Sequence, residues 1–265
     1  MPRHNRATHS PRPRSPQRHG RHELGQNFLR HRPTVRLLTD LVAATDGSIL
    51  EIGPGDGALT AGLSRLGRPV VAVELDPHRI AGLRRRFPRV EVVHADALDI
   101  RFGQDVVVGN LPFHLTTPLL RKLLRSHDWR HAVVLLQWEV ARKRAGVGGS
   151  TMMTAQAGPW FDFTLYGRVP AHGFHPAPSV DGGVLGIDRR ATPLVPTTER
   201  RRYERFVAEV FTSRGAGLRA ILTRLTSARV AHRMLASCGA DRRAKPRDLT
   251  SRQWAALWQV VRNRT

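Results

Sequence analysis

The chain of 265 residues has a single cysteine, Cys238. Without a second thiol there can be no intramolecular disulfide, and a cysteine metal cluster is excluded as well. No apolar run is long enough to span a bilayer, and the N-terminus lacks the apolar centre of a secretory signal, so no membrane partner and a cytoplasmic location are expected. No segment repeats internally. Acidic residues are also few: 21 Asp and Glu stand against 43 Lys and Arg, for a net charge of +22. Arginine carries nearly all of that surplus. Such a field favours a polyanion as partner, most simply nucleic acid. Codon bias toward arginine would explain Arg over Lys but not the excess over acids.

Apolar residues are missing from one stretch in particular. Residues 1–22, MPRHNRATHSPRPRSPQRHGRH, offer almost nothing to bury and are expected to be a disordered basic arm that clings to phosphates. An organellar transit peptide shares the Arg and Ser content, but this stretch has no amphipathic stripe.

Beyond the arm, helical periodicity begins at 33–44, where Val35, Leu38, Leu41 and Val42 recur on one face. Short β-branched runs then alternate with helical segments. Strands are expected at 48–52, 69–75, 90–95, 105–110 and 131–137, and helices near 58–66, 77–86 and 116–126. Alternation of this kind predicts a parallel sheet covered on both faces. Segments 161–169 and 182–190 read as a closing antiparallel pair, joined by the proline-rich loop PAHGFHPAPSVD. From about 192 the pattern becomes wholly helical (198–213, 216–226, 228–237 and 250–262), and Thr250 with Gln253 fits a capping box.

The first strand ends in LEIGPGDGALT, where Gly53 and Gly55 let the backbone turn tightly against a ligand. With Ala58 they also satisfy the dinucleotide fingerprint, and Glu74, about twenty residues on, is placed to accept from ribose hydroxyls. Both NAD and S-adenosylmethionine meet that description. Glu51 favours the second, because a carboxylate there repels a pyrophosphate and suits the ammonium of a methionine moiety. Asp96, ending the third strand in HADAL, can accept from the exocyclic amine of an adenine ring.

At the fourth strand end stands GNLPFHLTTP. An exocyclic adenine amine is a poor nucleophile, since its lone pair is delocalised into the ring. The amide oxygen of Asn110 and a main-chain carbonyl of Leu111 or Pro112 can accept both amine hydrogens and free that lone pair, while Phe113 offers a flat face to an extruded base. The work is positioning and electrostatics, with no metal and no covalent nucleophile. His172 and His175 in the proline-rich loop read as polar loop residues, not ligands.

Taken together, LGQNFL (24–29), EIGPGDGALT (51–60), VELD (73–76), HADAL (94–98) and NLPFHLTTPLL (110–120) resemble the ribosomal RNA adenine N6-methyltransferases. That superfamily includes the Erm enzymes of 23S rRNA, associated with macrolide, lincosamide and streptogramin resistance, and the KsgA-type 16S dimethyltransferases. The resemblance runs from Leu24 to KPRDLTSRQWAAL (245–257). It implies an α/β, Rossmann-like seven-stranded sheet with a small all-helical C-terminal domain, S-adenosylmethionine as cofactor and 23S rRNA, naked or in a precursor particle, as partner. The expected organisation is an arm at 1–22, a catalytic domain at 23–191 and an RNA-binding helical domain at 192–265, as a monomer. By position it also implies that Gln26, Asn27 and Leu29 line the cofactor site, that Gly53 and Gly55 approach the methionine part, that Glu74 holds ribose and that Asp96 and Ala97 meet the cofactor adenine. Asn110 to Phe113 would hold the target base, with Asn110 contacting the cofactor as well.

Phe113 and His114 stand where KsgA-type enzymes usually carry Tyr and a second Asn, and LLQWEVARKRAGVGGSTMMTAQAGPWFDF is more similar to actinomycete Erm proteins. Ser179 departs from a frequent Lys of the family. ARKRAG (141–146) and SRGAGLRAILTRL (213–225) are candidate phosphate grips. A 16S dimethyltransferase, a nicotinamide oxidoreductase and a non-catalytic RNA-binding assembly factor stay open as alternatives.

Overall fold

The structure, a computed structural model, describes residues 27–263 apart from position 242. Its elements run β1 (Phe28–Leu29), α1 (Arg32–Ala43), β2 (Ile49–Ile52), α2 (Thr60–Leu63), β3 (Val70–Glu74), α3 (Pro77–Arg86), β4 (Glu91–His94), β5 (Val106–Asn110), α4 (Thr116–Arg125), β6 (His131–Gln137), α5 (Trp138–Arg144), α6 (Met152–Ala157), β7 (Phe161–Val169), β8 (Phe174–His175) and β9 (Gly182–Arg189). Then follow α7 (Arg200–Thr212), α8 (Leu218–Leu225), α9 (Ala228–Cys238) and α10 (Ser251–Val261).

Seven strands form one sheet in the order β4-β3-β2-β5-β6-β9-β7. The first five pair in parallel; β9 enters antiparallel between β6 and β7. Both faces are covered, and the strand residues alternate between them as the pleat requires. Ile49, Val70, Ala72, Val106, Val108, Val133 and Leu135 face α1, α2 and α3, where Leu38, Val42, Leu63 and Leu83 complete the layer. Leu50, Val73, Val107, Val134, Leu136 and Leu185 face the other way, onto α4. On the edge strand β7, exposed residues alternate with covered ones.

The second apolar layer continues from α4 through α6 into the C-terminal helices. An aromatic cluster makes the joint: Trp160 meets Tyr203 edge-on at 5.5 Å, and Tyr203 meets Trp258 at 6.0 Å. The buried Tyr203 hydroxyl donates to the Ala155 carbonyl at 2.8 Å. Desolvation holds that hydroxyl well above the ordinary tyrosine range. At the head of α10, the Thr250 hydroxyl accepts from the Gln253 amide while the Gln253 side chain accepts from the Thr250 amide, which is the expected capping box.

Three local expectations change. The helix read at 58–66 shrinks to Thr60–Leu63, because residues 54–59 are spent on the turn that carries the glycine loop and Gly62, Gly67 and Pro69 weaken its continuation. The segment between β6 and β7 holds the short helices α5 and α6, and the proline-rich loop contains β8, which pairs antiparallel with β1. No helix among the described residues is long and apolar enough to cross a membrane.

Candidate active site

The chain leaves β2 to build β3 and β4 on one side, then returns to place β5 on the other. Ligands of open α/β sheets lie at that switch point, beyond the carboxyl ends of the strands. Here those ends are Ile52, Glu74, His94 and Asn110. Two cavities open there. One is lined by Asn27, Phe28, Gly53, Gly55, Asn110 and Phe113 among others, the second by Val73, Ala95, Asp96, Ala97, His114 and Leu119. Gly53, Glu74 and Pro112 border both, so the two form one bent cleft.

Gly53 forms the floor. Its φ of +66° lies in the left-handed region, and a Cβ built on it meets nothing within 4 Å, so its outer face is open to a ligand. One strand over, the Glu74 carboxylate is buried; it accepts from the Gly55 amide at 2.9 Å and from the Asp76 amide at 2.9 Å. Each carboxylate oxygen keeps lone pairs for a further donor. Asp96 accepts from the Leu98 amide at 2.7 Å, and this turn orients it and Ala97 in the second cavity.

At the end of β5 the Asn110 side-chain amide donates to the main-chain carbonyl of Asn27 at 2.7 Å. A carbonyl only accepts, so the NH2 of Asn110 faces Asn27 and its Oδ1 is directed away from that bond. The two candidate carbonyls differ. That of Pro112 already accepts from the Leu115 amide at 2.9 Å and from the Thr116 hydroxyl at 3.4 Å. That of Leu111 has no hydrogen bond among the described residues, although the Leu111 amide donates to Leu135. Phe113 stands edge-on to Phe174 at 6.1 Å, the buried first residue of β8.

Some expected site residues lie elsewhere. Gln26 and the arm at 1–22 fall outside the described residues. Leu29 turns its side chain into the apolar core, where it is 5% exposed, because the pleat of β1 sends successive residues to opposite faces. Its neighbour Phe28 lines the cleft instead. The Phe28 ring covers the Cα of Gly55, and the Arg79 guanidinium lies 4.3 Å from its centroid. Glu51 does not reach toward a ligand: it is buried below the loop and accepts from the Thr60 hydroxyl at 2.7 Å. Desolvation raises its pKa to about 7, with a smaller push from Glu74, against the lowering effect of the Thr60 bonds. Phe28 lies within the LGQNFL motif but, like Arg79 and Phe174, carried no local signal that would place it at the cleft, since each is brought there by pairing or packing over a long separation.

The donor set can be tested against the two cofactors left open by the glycine loop. In a chain with 43 basic residues, the cleft is lined by no Lys or Arg, while Glu74 and Asp96 are present. A pyrophosphate would find no cation there. A sulfonium cofactor, positively charged, finds carboxylates and an unobstructed glycine, and so fits.

The sheet order and this acid-lined cleft define a Rossmann-like methyltransferase that takes S-adenosylmethionine as methyl donor. The chain belongs to the family described as ribosomal RNA adenine dimethylase, whose model matches residues 17–262. It is 48% identical over 247 residues to the mycinamicin-resistance protein MyrB of Micromonospora griseorubida, covering 92% of this chain and 79% of that protein. It is 52% identical over 210 residues to an rRNA adenine N-6-methyltransferase of Corynebacterium diphtheriae, covering 78% and 83% respectively. Among solved structures, the 23S rRNA methyltransferase ErmE matches with a TM-score of 0.81 at 31% identity, over 89% of this chain and 100% of that one. Membership in this family decides for an rRNA adenine N6-methyltransferase over the nicotinamide enzyme and the non-catalytic RNA-binding protein.

Proposed function

We propose that the chain transfers a methyl group from S-adenosylmethionine to N6 of one adenine of 23S rRNA, and that this confers macrolide-lincosamide-streptogramin resistance. The orientation of Asn110 carries the reading, because its NH2 is committed to Asn27 and its oxygen is left to accept. The likeness to MyrB and to ErmE supports the 23S assignment, as do Phe113 and His114 in place of the residues usual in 16S enzymes.

When bound, S-adenosylmethionine supplies an electrophilic methyl on a sulfonium. Gly53, Gly55 and Asn27 hold its methionine part, Glu74 its ribose, and Asp96 with Ala97 its adenine. Asn110 Oδ1 and the Leu111 carbonyl accept the two hydrogens of the target amine. Two acceptors on one nitrogen draw it toward tetrahedral geometry and aim its lone pair at the methyl. The same dipoles stabilise the positive charge that develops on N6. Phe113 stacks on the extruded base, with Phe174 behind it. The released proton leaves to water, so no side chain is assigned as a dedicated base.

The chain acts as a monomer, and the helices from 192 to 265 grip RNA by shape and phosphate contacts, joined by the arm at 1–22. Transfer of labelled methyl to purified 23S and 16S rRNA, with mapping of the modified base, tests the assignment. Label at a single 23S adenine is expected. Label confined to 16S rRNA would reassign the chain to the small-subunit enzymes.

A further inference from the structure

Beside the reactive cleft lies a groove of about 640 Å³ between α1 and the turn that follows α2. Its lining includes Arg30, Arg32, Arg36, Arg65 and Arg86. We propose that this groove holds the phosphates of the RNA strand flanking the target adenosine, a second contact surface separate from the C-terminal helices. The inference rests on the reading of RNA as substrate.

Four of the five arginines have no internal side-chain task among the described residues that explains their placement. Arg30, Arg32, Arg36 and Arg65 are exposed, and their side chains make no hydrogen bond or ion pair among the described residues. Only Arg86 is committed, donating to the Asp56 carbonyl at 2.7 Å. Neither acid of the lining is ion-paired with these four arginines: Asp56 is paired with Arg79, and the Asp40 carboxylate forms no ion pair among the described residues. Arg32 and Arg36 stand one helical turn apart on α1, a like-charge spacing that disfavours the helix unless an anion lies between them. Thr34, Leu38 and Val42 face the core from the same helix, so the arginine face is not needed for packing.

Guanidinium groups arrayed along a groove suit a chain of phosphates, each of which can take a bidentate pair. An acidic peptide would satisfy charge equally well. Position separates the two. Phe28 lines both this groove and the reactive cleft, so the groove adjoins the cleft into which the extruded base must pass. The strand carrying that base has to pass the mouth; an unrelated peptide does not. The contrast in lining points the same way, since the cleft itself has no Lys or Arg and the groove has five arginines.

The test is the triple variant Arg32→Gln, Arg36→Gln, Arg65→Gln in the full chain, with an RNA hairpin that presents an unpaired adenosine and single-stranded flanks. Each phosphate contact on a single strand contributes about 0.7 to the slope of log affinity against log salt, so the slope is expected to fall by about 2. KM for RNA should rise about tenfold or more, with kcat within about twofold and S-adenosylmethionine affinity unchanged. An unaltered slope and KM in a variant that binds cofactor normally would overturn the groove while leaving the methyl transfer of the parent chain intact. Absence of any transfer to RNA by the parent chain would instead overturn the functional reading. If the triple variant loses cofactor binding, Arg32→Gln and Arg65→Gln are measured singly, each expected to lower the slope by about 0.7; two unchanged slopes reject the proposal.

Discussion

The side-chain amide of Asn110 donates to the main-chain oxygen of Asn27 at 2.7 Å, across 83 positions of sequence. This bond fixes which end of the carboxamide meets the substrate, and it does so from the backbone, where no substitution of Asn27 removes it. Asn110→Ala deletes both the acceptor and the tie. Loss of one aligned dipole of this kind costs about 10²- to 10³-fold in rate. Single-turnover methyl transfer should show that loss while calorimetry shows S-adenosylmethionine still bound; full activity would reject the amine-holding mechanism.

The base face is a separate matter. Phe113 meets Phe174 at 6.1 Å, and a base stacked on an aromatic ring is worth about 1–3 kcal/mol. Phe113→Ala should therefore lower kcat/KM for RNA by about tenfold to a hundredfold, whereas Phe113→Tyr keeps a flat ring and most of the activity. Steady-state kinetics on the hairpin distinguishes the two.

Arg79 lies against the Phe28 ring that covers Gly55 and pairs at the same time with Asp56 and Asp76. Arg79→Ala removes the cation from the ring, an interaction worth about 0.5–2 kcal/mol. The expected outcome is a several-fold weaker Kd for S-adenosylmethionine with no change in RNA affinity. An unchanged Kd would show that the Phe28 ring needs no support from the arginine.

Glu51 gives a pH signature. Its folded pKa of about 7 lies above the unfolded value of 4.5, so the native state binds the proton more tightly. Stability is then greatest below pH 4.5 for this group, declines as pH rises toward 7, and levels off above it. The full effect is about 3 kcal/mol. Urea unfolding of the cofactor-free chain from pH 5 to 8 should show the parent losing stability relative to Glu51→Gln, which has nothing to titrate. Parallel curves would exclude the shift.

Gly109 sits opposite Ile52 in the β2–β5 pair, and a Cβ there would lie 2.5 Å from the Ile52 carbonyl oxygen. Backbone cannot yield as a side-chain tip can. Gly109→Ala should cost about 1–3 kcal/mol in denaturant unfolding and spread the strand ends that carry Gly53 and Asn110. A stability within 0.5 kcal/mol of the parent, on the order of an ordinary surface change, would contradict this.

Much of this molecule follows from periodicity in the chain. The β-branched runs set the five parallel strands to within a residue or two, because a strand buried on both faces must be apolar throughout. Glycine at 53, Glu at 74, Asp at 96 and Asn at 110 each fall at a strand end, and strand ends are where an α/β sheet presents chemistry. Local chemistry also specified the capping box at Thr250.

Tertiary structure alone decided the rest. Whether a carboxylate faces a ligand or a neighbouring hydroxyl depends on burial, and so Glu51 went to Thr60 while Glu74 stayed at the cleft. Leu29 and Phe28 exchanged roles through the pairing of β1 with β8, a contact across nearly 150 residues that no local pattern encodes. The choice of Leu111 over Pro112 as the free carbonyl came from which one the following turn had already used. A sequence fixes which groups are available and at what spacing; only the folded chain determines which of their hydrogen-bonding positions are left for a substrate, because that depends on partners far apart along the backbone.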